Sequence, residues 1–266
     1  MQPAQRSFGK LFDLSGKVAL ITGAGAGLGE AISVGFAEYG CDIAATDVNL
    51  EAAKRTAAEV SGRGRRSVAI RADVSSPEEI ETLVDTAVRE FGTIDILVNS
   101  AGISHHESAV DLPVETWDRI VDVNLRGTFL CCRAVARIML PKRQGVMLNI
   151  SSISGIVGLG RANNAYSASK GGVNGLTKQL AIEWAGSGIR VNALAPCQFR
   201  TPALLEIMAD KQFDPVKLME AWTSNIPLGR IGEAAEIVGP AVFLASDAAS
   251  MVTGVILPVD GGFLAR

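Results

Sequence analysis

Residues 17–29 of the chain read KVALITGAGAGLG, a short apolar run that ends in a turn rich in glycine. An unbroken apolar run of this length is typical of a strand buried on both faces of a parallel sheet. The glycines allow the backbone to turn sharply, and a helix is predicted from Glu30 to Glu38 directly after them. The stretch therefore predicts the first strand–turn–helix unit of a doubly wound α/β sheet.

The same alternation of strand and helix continues along the chain. Six further strands are predicted, at Asp42–Thr46, Ser67–Arg71, Ile94–Asn99, Gly145–Ser151, Arg190–Leu194 and Val255–Val259. The helices predicted between them are Leu50–Val60, Pro77–Phe91, Val114–Leu140 (ended by Pro141), Tyr166–Ala185 and Ala234–Leu244. Right-handed crossovers then give a single-domain Rossmann-like fold, with a mostly parallel seven-stranded sheet and helices on both faces. Residues 1–14 form an N-terminal extension, and an irregular stretch at about 197–225 is interpreted as a substrate lid.

The composition and charge of the chain limit the classes of protein to which it can belong. The chain has 266 residues, 48% of them hydrophobic, and a formal charge of −3, which suits one buried core and gives no reason to expect nucleic acid. The basic cluster Arg63, Arg65 and Arg66 is interpreted as a solvated turn rather than a polyanion site. No signal peptide and no membrane-spanning run is recognised. The four cysteines lack metal-ligand spacing, so we expect no metal site and a cytoplasmic protein with reduced thiols.

The glycine turn is the first candidate site. Gly23, Gly27 and Gly29, with Leu28 between the last two, follow the pattern T-G-x-x-x-G-x-G, and the helix after them offers free N–H groups to a pyrophosphate. Asp47 ends the second predicted strand, where a carboxylate binds adenosine ribose hydroxyls and repels a 2′-phosphate. The alternative is a turn residue that caps the next helix. Together with the glycines, Asp47 predicts NAD in preference to NADP.

Two more strand ends lie in the same predicted cleft. Asp73 and Val74 close the third strand, where the carboxylate and the valine amide can reach an adenine edge. Asn99, Ala101 and Gly102 close the fourth strand, and small residues there suit a backbone that passes beneath a flat ligand. All five are therefore predicted to line the cofactor site.

Tyr166 and Lys170 form the candidate catalytic pair. They are four residues apart at the start of a predicted helix and so share one face. A phenol has a pKa near 10, and a nearby ammonium favours the phenolate and lowers that pKa towards the range useful for proton transfer. Ser152, at the end of the fifth strand, is placed to hydrogen-bond a substrate carbonyl or hydroxyl.

Taken in order, these residues resemble the short-chain dehydrogenase/reductase family over essentially the whole chain. The resemblance rests on TGAGAGLG, Asp73, NSAG at Asn99–Gly102, Asn124, Ser152 and YSASK at Tyr166–Lys170, with PLGRIG at Pro227–Gly232 and FLASDAAS…VTG…VDGG near the end. It implies hydride transfer to or from a nicotinamide cofactor. A homotetramer is also implied, and the outward positions on the two long helices proposed for its interface are Val123, Thr128, Cys132, Ala168, Gly172 and Gly175.

The resemblance also implies residue roles. Tyr166 would exchange the proton with the substrate oxygen, and Lys170 would bind the nicotinamide ribose. Asn124 would hold a water that links Lys170 to solvent, with a helix-kink Asn as the alternative. Pro196 would lie against the cofactor, and Thr201 would bind its carboxamide.

Two departures from the family pattern concern the catalytic loop. The family usually has thirteen positions from the catalytic serine to the tyrosine, whereas Ser152 and Tyr166 are fourteen apart, which predicts an extra residue in the loop 158–165. Ser151 and Ser154 remain alternatives for the serine. Cys197 stands where the family often has glycine, beside the expected nicotinamide position.

The substrate is predicted from weaker features. The two ends of the chain look most like the sugar-acid branch, such as gluconate 5-dehydrogenase and 2-deoxygluconate 3-dehydrogenase. Arg161 could bind a carboxylate, with Ser154 and His105 as further substrate residues, but a neutral polyol or sugar fits nearly as well. The alternatives are a 3-oxoacyl carrier-protein reductase, a hydroxysteroid dehydrogenase with an apolar lid, and an NAD-binding regulator without activity.

Overall fold

A computed structural model describes residues 10–160, 162–209 and 214–266. Its central sheet contains seven strands: β1 Val18–Thr22, β2 Asp42–Asp47, β3 Ser67–Arg71, β4 Ile96–Asn99, β5 Gly145–Ile150, β6 Ile189–Pro196 and β9 Ile256–Val259. The strand order is β3-β2-β1-β4-β5-β6-β9 and every pairing is parallel. The prediction of one doubly wound α/β domain is confirmed. A separate pair, β7 Phe199–Arg200 with β8 Gly232–Glu233, is also parallel.

Nine α-helices of the described residues connect these strands: α1 Gly27–Glu38, α2 Leu50–Gly62, α3 Pro77–Phe91, α4 Val114–Val121, α5 Gly127–Lys142, α6 Asn164–Ala185, α7 Pro202–Ala209, α8 Pro215–Thr223 and α9 Val238–Ala245. Helices α1, α2 and α9 pack on one face of the sheet, and α3, α5 and α6 on the other. All residues of β1 are buried. Because both faces are covered, its apolar run needs no polar alternation.

Helix starts in the first half of the chain differ in how they are capped. Asn49 and Ser76 accept side-chain hydrogen bonds at the starts of α2 and α3, as N-cap residues usually do. The N-cap of α1 is Ala26, which has no side-chain acceptor to offer. At only two of these three helix N-termini does a side chain of the protein therefore accept from a free N–H group.

The predicted helix Val114–Leu140 is not continuous. A π-helical turn at Asp122–Arg126 separates α4 from α5, and Pro141 lies inside the last turn of α5 instead of ending it. The outward face proposed for the two long helices is also partly wrong. Val123, Thr128 and Cys132 are buried, with Cys132 fully inaccessible, whereas Ala168 and Gly175 are exposed.

The segment 197–225 was predicted to be irregular, and it instead contains α7 and α8. Asp214 caps α8 by accepting from the backbone N–H groups of Val216 and Lys217. The two helices enclose a small apolar cluster of their own, centred on Trp222 and Ile226. The lid interpretation concerns movement and stays a prediction.

Cations in the turn between α2 and β3 have partners. Arg63 pairs with Glu38 and Glu59, Arg65 pairs with Asp42, and Arg66 lies over the ring of Phe91. These contacts support the interpretation as a surface turn. Within the described residues, no helix combines the length and the apolar character needed to span a bilayer, and no cluster of three or more His, Cys, Asp or Glu side chains could hold a metal.

Candidate active site

The glycine turn after β1 is shaped by close backbone approaches. Gly23 and Gly27 have φ of +63° and +61°, a region that side-chain-bearing residues rarely adopt. A Cβ at Gly29 would lie 2.1 Å from the carbonyl oxygen of Gly23, and one at Gly23 would lie 2.7 Å from Cα of Ala101. The pattern T-G-x-x-x-G-x-G is therefore required by geometry at all three glycines.

This turn forms a cradle at the N-terminus of α1. A Cβ at Gly25 would lie 2.9 Å from Oδ2 of Asp47, so the backbone there is bare and faces the end of β2. The absence of a side-chain cap on α1 leaves its first N–H groups available to an anion. Bare backbone beside an open helix N-terminus fits the pyrophosphate of a dinucleotide.

Asp47 lies at the end of β2, beside the cradle. Its Oδ2 accepts from the Gly25 N–H at 3.0 Å and its Oδ1 accepts from the Asn49 N–H at 2.9 Å. Asp47 is thus a turn residue, as the alternative expected, but the cap of α2 is Asn49 and not Asp47. Each carboxylate oxygen retains a lone pair for a ribose hydroxyl, so the two functions are compatible.

Asp73 and Val74 lie where the sequence placed them, after β3. Oδ1 of Asp73 accepts from the N–H and the hydroxyl of Ser75, at 2.9 and 2.6 Å, and these bonds lower the pKa of its carboxyl. Val74 is buried against Gly127, where a Cβ would lie 2.9 Å from the valine. The Asp73 carboxylate is therefore partly used by its own turn.

The Asn99 side chain contacts the neighbouring strand β5 and the helix α5. Its Nδ2 donates to Oδ1 of Asn149 at 2.9 Å and to Sγ of Cys132 at 3.3 Å. The hydroxyl oxygen of Thr22 accepts from the N–H of Ala101 at 3.3 Å, which joins the ends of β1 and β4. The Asn99 side chain thus supports the floor of the cleft from within the sheet. Sequence reasoning missed Asn149, its buried partner.

Gly102 lies closer to the catalytic pair. A Cβ on this glycine would lie 3.6 Å from Nζ of Lys170 and 3.3 Å from Oδ1 of Asn124. The strand end that we expected beneath a flat ligand therefore also borders the candidate catalytic residues.

Three serines follow β5, and their contacts distinguish them. Ser152 is the serine that lowers the pKa of the Tyr166 hydroxyl, and its Oγ accepts from the N–H of Ser154 at 3.1 Å. Ser151 instead donates to Oδ1 of Asn174 at 2.6 Å. Ser154 is buried in the short 3₁₀ turn Ile153–Gly155. The geometry thus favours Ser152 as the partner of Tyr166.

The longer loop between Ser152 and Tyr166 contains two left-handed residues, Gly160 with φ of +63° and Ala162 with φ of +42°. The carbonyl of Ala162 accepts from the Glu107 N–H at 2.8 Å, and Asn164 Nδ2 donates to the Glu107 carbonyl at 3.1 Å. These bonds tie the loop after β5 to the loop after β4. The longer spacing is accommodated beside Tyr166 without displacing it from Ser152.

Tyr166 and Lys170 lie in the first two turns of α6. Lys170 is buried, and its Nζ lies 5.6 Å from the centre of the Tyr166 ring and donates to the Ile150 carbonyl at 2.6 Å. Burial lowers the pKa of Lys170 to about 8. Burial also raises the pKa of Tyr166, which the Ser152 hydrogen bond opposes. The expected lowering of the Tyr166 pKa by Lys170 is not seen here, because desolvation is the larger effect and the ammonium is turned towards Ile150.

Asn124 lies in the π-helical turn between α4 and α5. Its Oδ1 accepts from the Ile103 N–H at 2.8 Å, and its Nδ2 donates to the Ile103 carbonyl at 2.9 Å and to Ser169 Oγ at 3.1 Å. The side chain fixes the loop after β4 and the helix of Tyr166. The water relay stays a prediction.

Of the remaining predicted residues, those that the structure describes lie at the end of β6, just before α7 and in the loop after β4. Pro196 ends β6, and Thr201 Oγ1 accepts from Leu204 N–H at 3.4 Å at the start of α7, where the Thr201 side chain faces Gly27. Cys197 packs against the Trp222 cluster. His105 is exposed, and Arg161 lies outside the described residues. The assignment of Ser154, Arg161 and His105 to the substrate stays a prediction.

Comparison with known proteins gives the family. A family model described as Enoyl-(Acyl carrier protein) reductase matches residues 23–264. The chain belongs to the short-chain dehydrogenase/reductase family. It is 42% identical over 252 residues to the D-threitol dehydrogenase of Mycolicibacterium smegmatis (95% of this chain, 94% of the relative). It is also 42% identical over 256 residues to the 2-dehydro-3-deoxy-D-gluconate 5-dehydrogenase of Dickeya dadantii (96% and 98%).

Two further matches show the range of this family. The 3-oxoacyl-[acyl-carrier-protein] reductase of Thermotoga maritima is 40% identical over 251 residues (94% of this chain, 99% of the relative). A solved structure assigned as a 2-deoxy-D-gluconate 3-dehydrogenase from Agrobacterium tumefaciens, with NADP bound, has a TM-score of 0.87 at 38% identity (96% and 99%). The protein is an oxidoreductase that acts on CH–OH groups, and its family binds a nicotinamide cofactor. The interpretation as a regulator without activity is not supported.

Proposed function

We propose that this short-chain dehydrogenase transfers a hydride between NAD and a secondary alcohol of a sugar acid, sugar or polyol, with Tyr166 as the acid/base. The observation that carries the proposal is the packing of buried Lys170 against Tyr166, with the lysine Nζ 5.6 Å from the centre of the tyrosine ring. Ser152 lowers the pKa of the same tyrosine. This group lies at the carboxyl ends of the strands, on the same edge of the sheet as the glycine cradle.

The preference for NAD is argued from charge. Asp47 faces the bare backbone of Gly25, and its carboxylate would repel a 2′-phosphate while it accepts hydrogen bonds from ribose hydroxyls. Arg71, the register partner of Asp47 on β3, is paired with Glu79 at 3.0 Å, so its charge is already compensated. NADP in the Agrobacterium structure belongs to that protein.

The nicotinamide ring supplies the site that accepts or donates the hydride. During alcohol oxidation Tyr166 accepts the hydroxyl proton of the substrate, and Ser152 donates a hydrogen bond to the reacting oxygen. Since burial raises the pKa of Tyr166, the donor from Ser152 and the charge of Lys170 are needed to favour the phenolate. Lys170 Nζ has two further N–H donors besides the one to the Ile150 carbonyl, and these would bind the nicotinamide ribose.

The substrate class is argued from the segment 197–225 and from the relatives. Leu204, Ile207, Met208 and Leu218 pack against the cluster of Trp222, so part of their apolar surface is used within the segment, which disfavours a hydroxysteroid as the substrate. The names of the Mycolicibacterium and Dickeya relatives indicate a polyol or a sugar acid. The Thermotoga relative makes a 3-oxoacyl carrier-protein reductase the second candidate.

We also propose a cytoplasmic homotetramer. Phe129 on α5 and Ile182 on α6 are 40% and 80% exposed, apolar positions on the two helices expected to form an interface. Cys41, Cys131 and Cys132 are buried as thiols, which fits a reducing compartment.

The test is a substrate panel followed by NADH or NADPH absorbance. Aldonates, polyols, sugars, secondary alcohols and hydroxysteroids are offered with NAD⁺ and with NADP⁺, and a 3-oxoacyl thioester with each reduced cofactor. We expect the highest kcat/KM for an aldonate or polyol with NAD⁺. Preference for NADP⁺ would contradict the function of Asp47, and preference for the thioester would establish the second candidate.

A further inference from the structure

Asn174 lies in α6, eight residues after Tyr166 and four after Lys170. Residues spaced by four lie on one face of a helix, so Asn174 continues the line of the two catalytic side chains. It is 8% exposed. A buried amide at this depth needs hydrogen-bond partners, and their identity shows what it holds.

Both ends of the Asn174 amide contact the segment that carries Ser152. Oδ1 accepts from the Ser151 hydroxyl at 2.6 Å, and Nδ2 donates to the Gly155 carbonyl at 2.9 Å. Ser152 stands between these two anchor points in the sequence. The strand end before Ser152 and the 3₁₀ turn after it are thus fixed to the helix of Tyr166.

The same segment is packed tightly against α6. A Cβ at Gly155 would lie 2.6 Å from the carbonyl carbon of Lys170 and 2.9 Å from Nδ2 of Asn174. The Ser151 hydroxyl also lies 3.3 Å from the Lys170 carbonyl oxygen. The 3₁₀ turn therefore has little freedom while Asn174 is in place.

We propose that Asn174 is a positioning residue, which acts through Ser152 by holding its hydroxyl at the Tyr166 hydroxyl. This inference rests on the proposed function of Ser152 and Tyr166 and adds a residue that touches neither substrate nor cofactor. The Ser154 N–H already occupies one lone pair of Ser152 Oγ, which leaves the hydroxyl hydrogen to point at Tyr166 or the substrate. Misplacement of a reacting group by about 1 Å can cost roughly 100-fold in rate.

The test is a double-mutant cycle of Asn174→Ala and Ser152→Ala, with kcat and KM measured for alcohol oxidation. We expect Asn174→Ala to lower kcat by about 10- to 100-fold with little change in the KM for NAD⁺. In the Ser152→Ala background the same substitution should have almost no further effect on kcat, because the group it positions is absent. An equal loss in both backgrounds would overturn the inference, as would no loss in the wild-type background.

The pH profile provides a second readout that a purely structural role would not move. Without the Ser152 donor the pKa of Tyr166 rises, so the rising limb of kcat against pH should shift to higher pH in Asn174→Ala, as in Ser152→Ala. Asn174→Leu keeps a similar volume without a new charge and loses both bonds, and it should show the same shift in a folded protein. An unshifted profile in both Asn174 variants would contradict the inference.

A matched control is available in Asn192. It is a buried Asn whose side chain also makes two bonds, to the Val252 carbonyl at 2.9 Å and from the Val255 N–H at 3.1 Å, between β6 and the segment before β9. Asn192→Ala should lower the melting temperature without moving the pH profile. If Ser152→Ala itself leaves turnover intact, the proposed function is wrong. If Ser152→Ala loses turnover but the Asn174 variants keep it, the inference alone fails.

Discussion

The two halves of the cleft are built from different parts of the chain. The half beside β1 and β2 is made of backbone: bare glycines, the open N-terminus of α1, and one carboxylate, Asp47. The half beside β5 and α6 is made of side chains, with Ser152, Tyr166 and Lys170 held by buried hydrogen bonds. Binding a pyrophosphate needs donors and space, whereas moving a proton needs groups with shifted pKa values.

This difference predicts which property, turnover or cofactor binding, is reduced when each half is mutated. Loss of a catalytic side chain should reduce turnover while the cofactor still binds. Addition of a single carbon to the backbone half should reduce cofactor binding first. The free energy of unfolding should also respond differently, because the catalytic half contains a buried charge and the cradle does not.

The largest effect is expected from Tyr166→Phe. Loss of the hydroxyl removes the proposed acid/base, so kcat should fall by about 10³-fold, within the range for general acid–base groups, while NADH binding measured by fluorescence is retained. The chain has two tyrosines, and Tyr39 at the end of α1 is 42% exposed. Tyr39→Phe is therefore the matched control and should be neutral. Substantial turnover by Tyr166→Phe would contradict the assignment of Tyr166 as the acid/base.

A smaller effect is expected from Gly29→Ala in the backbone half. The added Cβ would meet the carbonyl oxygen of Gly23 at 2.1 Å, and backbone cannot move aside cheaply. We expect the Kd for NADH to rise by about 10- to 100-fold, as for overpacking of 1–3 kcal/mol, with a smaller change in kcat. Gly239→Ala in α9 has nothing within 4 Å of the new Cβ and should leave binding unchanged. Equal NADH binding by both variants would show that the cradle tolerates a side chain.

Sequence predicted elements with local end signals better than the long-range contacts of the catalytic half. Helix α3 was predicted with its exact bounds, since Ser76, Pro77 and Gly92 mark its ends locally. A helix-kink Asn was the alternative for Asn124, and the π turn there bears it out, but the helix was still predicted as continuous. The bonds of Asn124 to Ile103, 21 residues earlier, were not visible in the sequence. Sequence spacing likewise did not show that Lys170 turns towards Ile150 or that burial raises the pKa of Tyr166.

Two other features that the sequence analysis missed could have been recognised from the sequence. Helix α8 begins with Asp214 as its cap and Pro215 in the first turn, the same kind of start as Ser76 and Pro77. Asn174 stands at the helical spacing of Tyr166 and Lys170, so a polar residue on that face was visible in the sequence. Its partners were not, because Ser151 and Gly155 approach it only when β5 and α6 pack together.

The smallest effect concerns stability and its dependence on pH. Burial lowers the pKa of Lys170 to about 8, below the value of roughly 10.4 for an exposed lysine. Between these two pH values the unfolded chain binds a proton that the folded chain does not, so the stability of the folded chain rises with pH. Below the folded pKa the cost of the buried charge is fully present. Lys170→Met removes that charge and should increase the free energy of unfolding by about 1–3 kcal/mol near neutral pH while it abolishes turnover.

Urea unfolding of the wild type and of Lys170→Met at neutral pH and near pH 10 measures this effect. The advantage of the variant should shrink as the pH rises, because the wild-type lysine loses its charge in the folded state. Lys178→Met, at an exposed position of the same helix, should show no such dependence. If Lys170→Met is instead the less stable protein at both pH values, the bond from Lys170 to the Ile150 carbonyl outweighs the desolvation of the ammonium. The buried ammonium would then stabilise the catalytic half. The two halves would still differ in their chemical groups, but a buried charge would no longer destabilise one of them.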